Sequence, residues 1–136
     1  MVIVLDPGHG ASTPGKRSPD GTLKEYRYNR DIAYEVKEQL EGLGYTVFLT
    51  VSDDSDPSLR QRCNIVNSYC KKYGKNNVLL CSIHCNAAGA RGEWMNARGW
   101  SIFIAKVASN NSKILANCIT EEAEAEGLKI RRPLPK

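Results

Sequence analysis

Short, continuous runs of apolar residues alternate along the chain with segments in which apolar residues recur every three or four positions. The continuous runs are rich in β-branched residues and predict strands, whereas the three- and four-residue spacing predicts helices. The predicted strands lie at residues 2–5, 45–51, 78–83 and 100–105. The predicted helices lie at residues 29–42, 58–74 and 109–127. The order along the chain is therefore β-α-β-α-β-β-α.

This order of elements predicts the fold class. Strands that alternate with helices form a largely parallel sheet, because each helix carries the chain back between two strands. We therefore predict an α/β fold of three layers, α/β/α, in which helices cover both faces of a twisted sheet. The first and third strands should be buried on both faces. The 136 residues suit one core and contain no linker or repeat, which predicts a single domain at 1–136.

Composition and charge exclude some classes of protein. The net charge of +4 is mild, and the chain has no basic stripe with interleaved aromatic residues, so we expect no nucleic-acid partner. No apolar stretch reaches the roughly 20 residues that a membrane span needs. The N-terminus lacks a basic flank and is typical of a core strand, not of a signal peptide. We expect a monomeric globular domain.

The cysteines bear on the compartment in which the chain is made. Their number is odd, so they cannot all pair within the chain. Four of them fall on predicted apolar faces, which favours free, buried thiols and synthesis in a reducing compartment. They are Cys63, Cys70, Cys81, Cys85 and Cys118.

Both histidines of the chain follow predicted strands. His9 comes directly after the first strand, between Gly8 and Gly10, and His84 ends the third strand. Ligands of open parallel sheets bind outside the carboxyl ends of the strands, so both imidazoles should emerge at that edge. Two histidines at corresponding strand ends predict a metal site.

A catalytic zinc site needs a third protein ligand and one open position for water. Thiolates of Cys81 or Cys85 are one class of third ligand, although alternation along an extended strand turns both away from His84. A carboxylate is the other class, and Glu25 stands between the long loop at 10–24 and the first helix. A carboxylate there can equally be a plain helix-start residue, favoured by the helix dipole.

Several segments, taken together and in order, resemble the zinc-dependent N-acetylmuramoyl-L-alanine amidases of the amidase-3 family. The two histidine motifs are the most specific. The matching segments are DPGHG at 6–10, Glu25 with Asn29, LGYTV at 43–47, Leu59 to Arg62 with Asn67, and SIHCNA at 82–87. The resemblance covers the chain from Val2 to about Lys136.

The resemblance implies the chemistry of the site. It implies one Zn²⁺ bound by His9, Glu25 and His84, and hydrolysis of the amide between N-acetylmuramic acid and the L-alanine of the peptidoglycan stem peptide. Asp6 is a local candidate for fixing a histidine tautomer. Arg62 and Asn86 are candidates for orienting substrate or for supporting the site, or for structural hydrogen bonds alone.

The chain also departs from the family pattern. The general-base glutamate of the family sits on a late strand, beyond the equivalent of Pro135, so we expect that residue after Lys136 and predict a domain lacking its last strand or strands. The acidic residues near the C-terminus should lie on the exposed face of a helix. Without the base, the alternative function is a domain that holds zinc and binds peptidoglycan without turnover; a metallopeptidase that cuts within the stem peptide is a further reading.

The resemblance places the site of action at the cell wall, either extracellular or periplasmic. Free thiols and a missing signal peptide suit a phage or prophage lysin that is made in the cytoplasm. They suit equally a secreted autolysin trimmed to its catalytic domain.

Overall fold

A computed structural model of the chain describes residues 1–86 and 92–131. Two compact units, Met1–Trp94 and Met95–Lys136, are described separately. The strands are β1 (Val2–Pro7), β2 (Thr46–Leu49) and β3 (Val78–Ile83). The helices are α1 (Glu25–Gly42), α2 (Leu59–Tyr73) and α3 (Asn110–Ala125), and a single 3-10 turn, Lys75–Asn77, follows α2. None of the described helices is both long and apolar enough to span a membrane.

The first unit is built on a parallel sheet of order β2-β1-β3. Alternate residues of β1 point to opposite faces. Leu5 packs with Ala33 of α1 on one face, and Asp6 contacts Arg62 of α2 on the other. Helices therefore cover both faces of the sheet, which confirms the predicted α/β class and its α/β/α layering.

Local sequence explains where α1 and α2 begin. Ser58 caps α2, since its hydroxyl accepts from the Gln61 N–H while the Gln61 side chain accepts from the Ser58 N–H. Helix α1 begins at Glu25, four residues before its predicted start at Asn29. Lys24 is still extended, and its bridge to Arg17 turns the loop back just before the helix. This start places Glu25 in the first turn of α1.

The predicted strand at 100–105 is wrong. Residues 101–105 form no strand in the described part of the chain. Trp100 makes an isolated parallel bridge with Ile130, in which the Trp100 N–H donates to the Lys129 carbonyl at 2.7 Å. An apolar run becomes a strand only when a partner pairs with several consecutive residues, and here the pairing stops at Trp100.

Burial also differs from prediction in two elements. Leu80 and Ser82 on β3 are exposed, so β3 is not buried on both faces; in the described sheet it is an edge strand. In α3 the buried residues are small: Ala116, Thr120 and Ala123.

The apolar spacing of the last helix predicts that Ile114, Leu115, Cys118 and Ile119 point inward, but Ile114 and Cys118 are exposed and the other two are only half-buried. All five thiols are free, as predicted. The expectation that they are buried is wrong for Cys63 and Cys118. The face that each helix buries is not the face on which the sequence places most of its apolar residues.

Candidate metal centre

The loop after β1 brings His9 to the carboxyl edge of the sheet in an unusual conformation. His9 has a φ of 64° and is the one non-glycine residue with positive φ in the described ranges. The neighbouring Gly8 donates its N–H to the Ile83 carbonyl at 2.9 Å, which ties this loop to the end of β3. The close approach of the two strand ends places the two histidines side by side.

His84 follows β3 and meets His9 edge to face. Their ring centroids lie 4.9 Å apart at an interplanar angle of 87°. The His84 side chain is 46% exposed, whereas that of His9 is 20% exposed. One side of the pair is thus open to solvent, as the entry of a water molecule or a substrate requires.

Glu25 completes the cluster from the first turn of α1. Its Oε1 lies 3.3 Å from Nε2 of His9 and 3.3 Å from Nδ1 of His84. The same oxygen accepts the backbone N–H of Cys85 at 3.0 Å, and the Glu25 side chain is only 6% exposed. A buried carboxylate is therefore held in place against both imidazoles.

This donor set fits a metal ion. One ligand atom from each of His9, Glu25 and His84 lies within 4.8 Å of the other two. Two imidazoles and one carboxylate are a known catalytic zinc set, and three protein ligands leave a fourth position open. The structure therefore brings together the three residues that the sequence predicted as ligands.

The alternative ligands, the thiolates of Cys81 and Cys85, are disfavoured by their surroundings. The Cys85 Sγ points to Asn29, donating to its Oδ1 at 3.7 Å. Burial and the Glu25 carboxylate raise the pKa of the Cys85 thiol. Burial and Asp6 likewise raise the pKa of Cys81. These surroundings therefore disfavour the thiolate, which is the form of cysteine that binds a metal ion.

The protonation of His9 suits metal binding. Burial lowers the pKa of His9, and the nearby His84 and Lys16 lower it further, against the opposing charge of Glu25. A neutral imidazole keeps a lone pair on one ring nitrogen at neutral pH, and this lone pair is what a metal ion binds.

A polar cluster centred on the partly buried Asp6 lies on the α2 face of the sheet. The Asp6 carboxylate accepts hydrogen bonds from Thr50, from Ser82 at 2.5 Å and from Arg62 at 2.7 Å. Asp6 was predicted to fix a histidine tautomer, but no imidazole is among these partners, which are the ones the structure describes for it. Its carboxylate instead joins β1, β3 and the residue after β2 to Arg62 of α2.

Arg62 ties this cluster to the His9 loop. Its guanidinium donates to the Pro7 carbonyl at 2.9 Å, to the His9 carbonyl at 3.4 Å and to Asp56 Oδ1 at 3.3 Å. Arg62 is buried and so supports the site from beneath, whereas Asn86 is exposed two residues after His84. A role of Asn86 in orienting substrate stays a prediction.

Two buried residues of the site were not singled out as functional from the sequence. Asn29 donates to the Gly8 carbonyl at 3.2 Å, and Arg30 donates to the His9 carbonyl at 2.9 Å. Both precede the buried Ala33 by three or four residues and so share its side of α1. A polar residue in phase with a buried helix face was the available signal. The glutamates at the C-terminal end of α3 and directly after it are exposed, as predicted, and are Glu121, Glu122, Glu124 and Glu126.

Gly8 leaves no room for a side chain, which yields a first prediction. A Cβ on Gly8 would lie 2.1 Å from Cε1 of His84. Relieving an overlap of this kind costs about 1–3 kcal/mol, so Gly8→Ala should displace His84 and weaken Zn²⁺ binding about 10- to 100-fold. Competition with a chromogenic chelator measures the affinity. Gly42→Ala, where a Cβ meets nothing within 4 Å, is the matched control; equal affinities for both variants would contradict the prediction.

The Asp6 cluster predicts a specific dependence of stability on pH. Burial alone would raise the pKa of Asp6, but hydrogen bonds from Ser82, Thr50 and Arg62 outweigh it and hold the pKa below its usual value. The carboxylate therefore stabilises the fold above the unfolded-state pKa of about 4 and loses this effect as the pH falls through its lower folded pKa. Asp6→Asn should cost about 1–3 kcal/mol at pH 7, with a smaller cost below about pH 4.

Urea unfolding in EDTA between pH 3 and pH 8 tests this dependence. The difference between the parent and Asp6→Asn is the relevant quantity, since other titrating groups cancel in it. Asp31→Asn on the exposed side of α1 is the control and should show no such trend. A cost of Asp6→Asn that stays constant down to pH 3 would rule out the depressed pKa.

Comparison with known proteins identifies relatives with the same elements. The family model for N-acetylmuramoyl-L-alanine amidases, amidase-3, matches residues 3–134. A germination-specific N-acetylmuramoyl-L-alanine amidase of Bacillus subtilis is 29% identical over 123 residues, covering 80% of this chain and 47% of that protein. The probable cell wall amidase LytH of Staphylococcus aureus is 31% identical over 128 residues, covering 93% of this chain and 38% of LytH.

Solved structures agree with these relatives. The catalytic domain of CwlV, an N-acetylmuramoyl-L-alanine amidase from Bacillus (Paenibacillus) polymyxa var. colistinus, matches with a TM-score of 0.72 and 29% identity, over 96% of this chain and 66% of that one. The CwlD amidase of Clostridioides difficile, solved in complex with the GerS lipoprotein, matches with a TM-score of 0.66 and 32% identity, over 91% and 65%. The chain thus spans less than half the length of the two curated relatives above. By its sequence match and its fold, it belongs to the amidase-3 family of N-acetylmuramoyl-L-alanine amidases.

Proposed function

We propose that this protein hydrolyses the amide bond between N-acetylmuramic acid and the L-alanine of the peptidoglycan stem peptide, with one Zn²⁺ held by His9, Glu25 and His84. The observation that carries the proposal is the convergence of these three ligand atoms within 4.8 Å at the carboxyl edge of the sheet. Membership of the amidase family supports the reaction, and the donor set supports the metal.

The residues of the chain prepare the site for this reaction. Nε2 of His9 and Nδ1 of His84 are the ring nitrogens that face Glu25, so these two atoms would bind the ion together with the carboxylate. Bound Zn²⁺ supplies a water of lowered pKa and polarises a carbonyl oxygen. The Cys85 N–H donates to Oε1 of Glu25 and so fixes the orientation of this carboxylate. A carboxylate base would take the proton from the water and pass it to the leaving amine.

Action at the cell wall follows from the proposed substrate. Peptidoglycan is a wall polymer, and LytH is a probable cell wall amidase. The mild net charge of +4 suits a polymer that is weakly anionic. We infer that the protein meets peptidoglycan as a monomer outside the cytoplasm, whichever way it is exported or released.

Digestion of purified peptidoglycan tests the proposal. The full product of the gene, loaded with Zn²⁺, should release intact stem peptides with a free L-alanine amine, as identified by mass spectrometry. EDTA and the His84→Ala substitution should each abolish the release. Split stem peptides would instead identify a metallopeptidase, and retention of peptidoglycan without any release would establish binding without turnover.

A further inference from the structure

Arg30 is a buried cation on α1 that donates to backbone carbonyls of four residues. The residue is 5% exposed. Its Nε donates to Asp53 at 2.6 Å, and its Nη1 donates to Tyr26 at 3.2 Å. Its Nη2 donates to both His9 and Ser55 at 2.9 Å. One guanidinium therefore joins α1, the His9 loop and the loop after β2.

All the hydrogen bonds described for Arg30 have backbone carbonyl oxygens as acceptors, so the guanidinium holds main-chain segments in place. Aspartates at 53, 54 and 56 lie close enough to act on its charge from the loop after β2. A guanidinium offers five N–H groups in a fixed plane, and a lysine ammonium cannot reproduce that fork. The position of these carbonyls therefore depends on arginine specifically.

The carbonyl of His9 needs such support. A φ of 64° in a non-glycine residue costs on the order of 1–2 kcal/mol, and a conformation of this kind persists only where its surroundings hold it. Arg30 donates to the His9 carbonyl at 2.9 Å, and Arg62 donates to it at the longer distance of 3.4 Å. The carbonyl of the peptide group that follows His9 is thus held mainly by Arg30, whereas the N–H of that group, on Gly10, donates to Thr13 Oγ1 at 2.9 Å.

The conformation of His9 decides where its imidazole points. With φ at 64°, Nε2 of His9 lies 3.3 Å from Oε1 of Glu25. A relaxed His9 with negative φ would turn its Cβ, and with it the ring, away from this arrangement. Fixing the carbonyl of His9 therefore also fixes the direction of the His9 imidazole.

We propose that Arg30 is a positioning residue for the metal centre: it fixes the carbonyl of His9 and so keeps the His9 imidazole directed at Glu25 and His84. This inference rests on the proposed function, since it assumes that these three residues bind a metal ion. A purely structural role for Arg30 would predict lower stability with unchanged metal affinity of the folded chain. A positioning role predicts lower metal affinity in the folded chain as well.

The test compares Arg30→Met and Arg30→Gln with Arg27→Met, which removes an exposed arginine from the same helix. Urea unfolding in EDTA first identifies conditions in which each variant is folded. Competition with a chromogenic chelator then gives the Zn²⁺ affinity, and the visible spectrum of bound Co²⁺ reports the ligand geometry. Arg30→Gln keeps two amide donors and is the fallback if Arg30→Met does not fold.

The expected result is a loss of Zn²⁺ affinity of about tenfold or more in the folded Arg30 variants, the range typical of residues that orient metal ligands. The Co²⁺ spectrum should change with it, and Arg27→Met should match the parent within about twofold. Folded Arg30 variants with parental affinity and spectrum would overturn the inference while leaving the proposed function intact. A parent chain that binds no Zn²⁺ would overturn both.

Discussion

His84→Ala should weaken Zn²⁺ binding about 10²- to 10³-fold. Zinc sites in proteins bind with an apparent free energy of about 10–16 kcal/mol, so each of a few ligands carries about 3–4 kcal/mol, or 10²- to 10³-fold in affinity. The loss of fold stability should be small, because the His84 side chain is 46% exposed. Isothermal titration or chelator competition on the EDTA-treated chain measures the effect.

The other two ligands sharpen this prediction. His9→Ala and Glu25→Gln should weaken binding to a similar extent, since each removes one of three donors. Glu38→Gln changes an exposed carboxylate of α1 and is the matched control for Glu25→Gln. In the parent, Zn²⁺ at 100 times its dissociation constant should raise the free energy of unfolding by about 2.7 kcal/mol. A His84→Ala chain that still gains this stabilisation would exclude His84 as a ligand.

Arg62→Met should destabilise the metal-free fold by up to about 3–5 kcal/mol, because it leaves the partly buried carboxylate of Asp6 without its cation. The ion pair joins side chains that are 7% and 13% exposed, at 2.7 Å. The substitution also removes the hydrogen bonds that Arg62 donates to the carbonyls of Pro57 and Pro7. Urea unfolding in EDTA measures the loss without any contribution from the metal.

The control for Arg62→Met is Arg60→Met, which removes an exposed arginine two residues earlier in α2. It should change stability by less than about 0.5 kcal/mol. Combining Arg62→Met with Asp6→Asn separates the ion pair from the carbonyl contacts, because the double variant no longer buries an unpaired charge. A loss in the double variant equal to the sum of the two single losses would show that Arg62 and Asp6 do not stabilise each other and that the loss in Arg62→Met comes from the carbonyl contacts.

The sequence predicted elements well where local signals and pairing agreed. Val2–Pro7 and Val78–Ile83 combine β-branched runs with partners, and Ser58 carries its own helix-capping signal. The run at 100–105 is also apolar but pairs through Trp100 alone in the described residues, since apolar composition does not specify a partner. In α3 the buried face is the one that carries small residues such as Ala116 and Thr120, because small residues permit close packing. The large apolar residue Ile114 remains exposed.

The site was predictable to different degrees. His9 and His84 follow from strand ends, because parallel strands bring their carboxyl ends to one edge. Glu25 carries no local signal beyond a helix start, so only the resemblance singled it out. The contacts of Arg30 depend on where the loop after β2 packs against α1, which local sequence does not determine. Two of the residues that Arg30 contacts, His9 and Ser55, lie 21 and 25 residues away from it along the chain.

The central position of β1 between two parallel partners has a consequence for how the protein folds. Asp6 on β1 meets Thr50 and Ser82 across 44 and 76 residues of chain, so no local hairpin can nucleate this sheet. Such distant pairings are slow to form. His84 joins Glu25 across 59 residues, so the site exists only after the sheet has brought these distant residues together. Metal should therefore bind only after the sheet has formed. Added Zn²⁺ should then slow the unfolding of the protein far more than it speeds its folding.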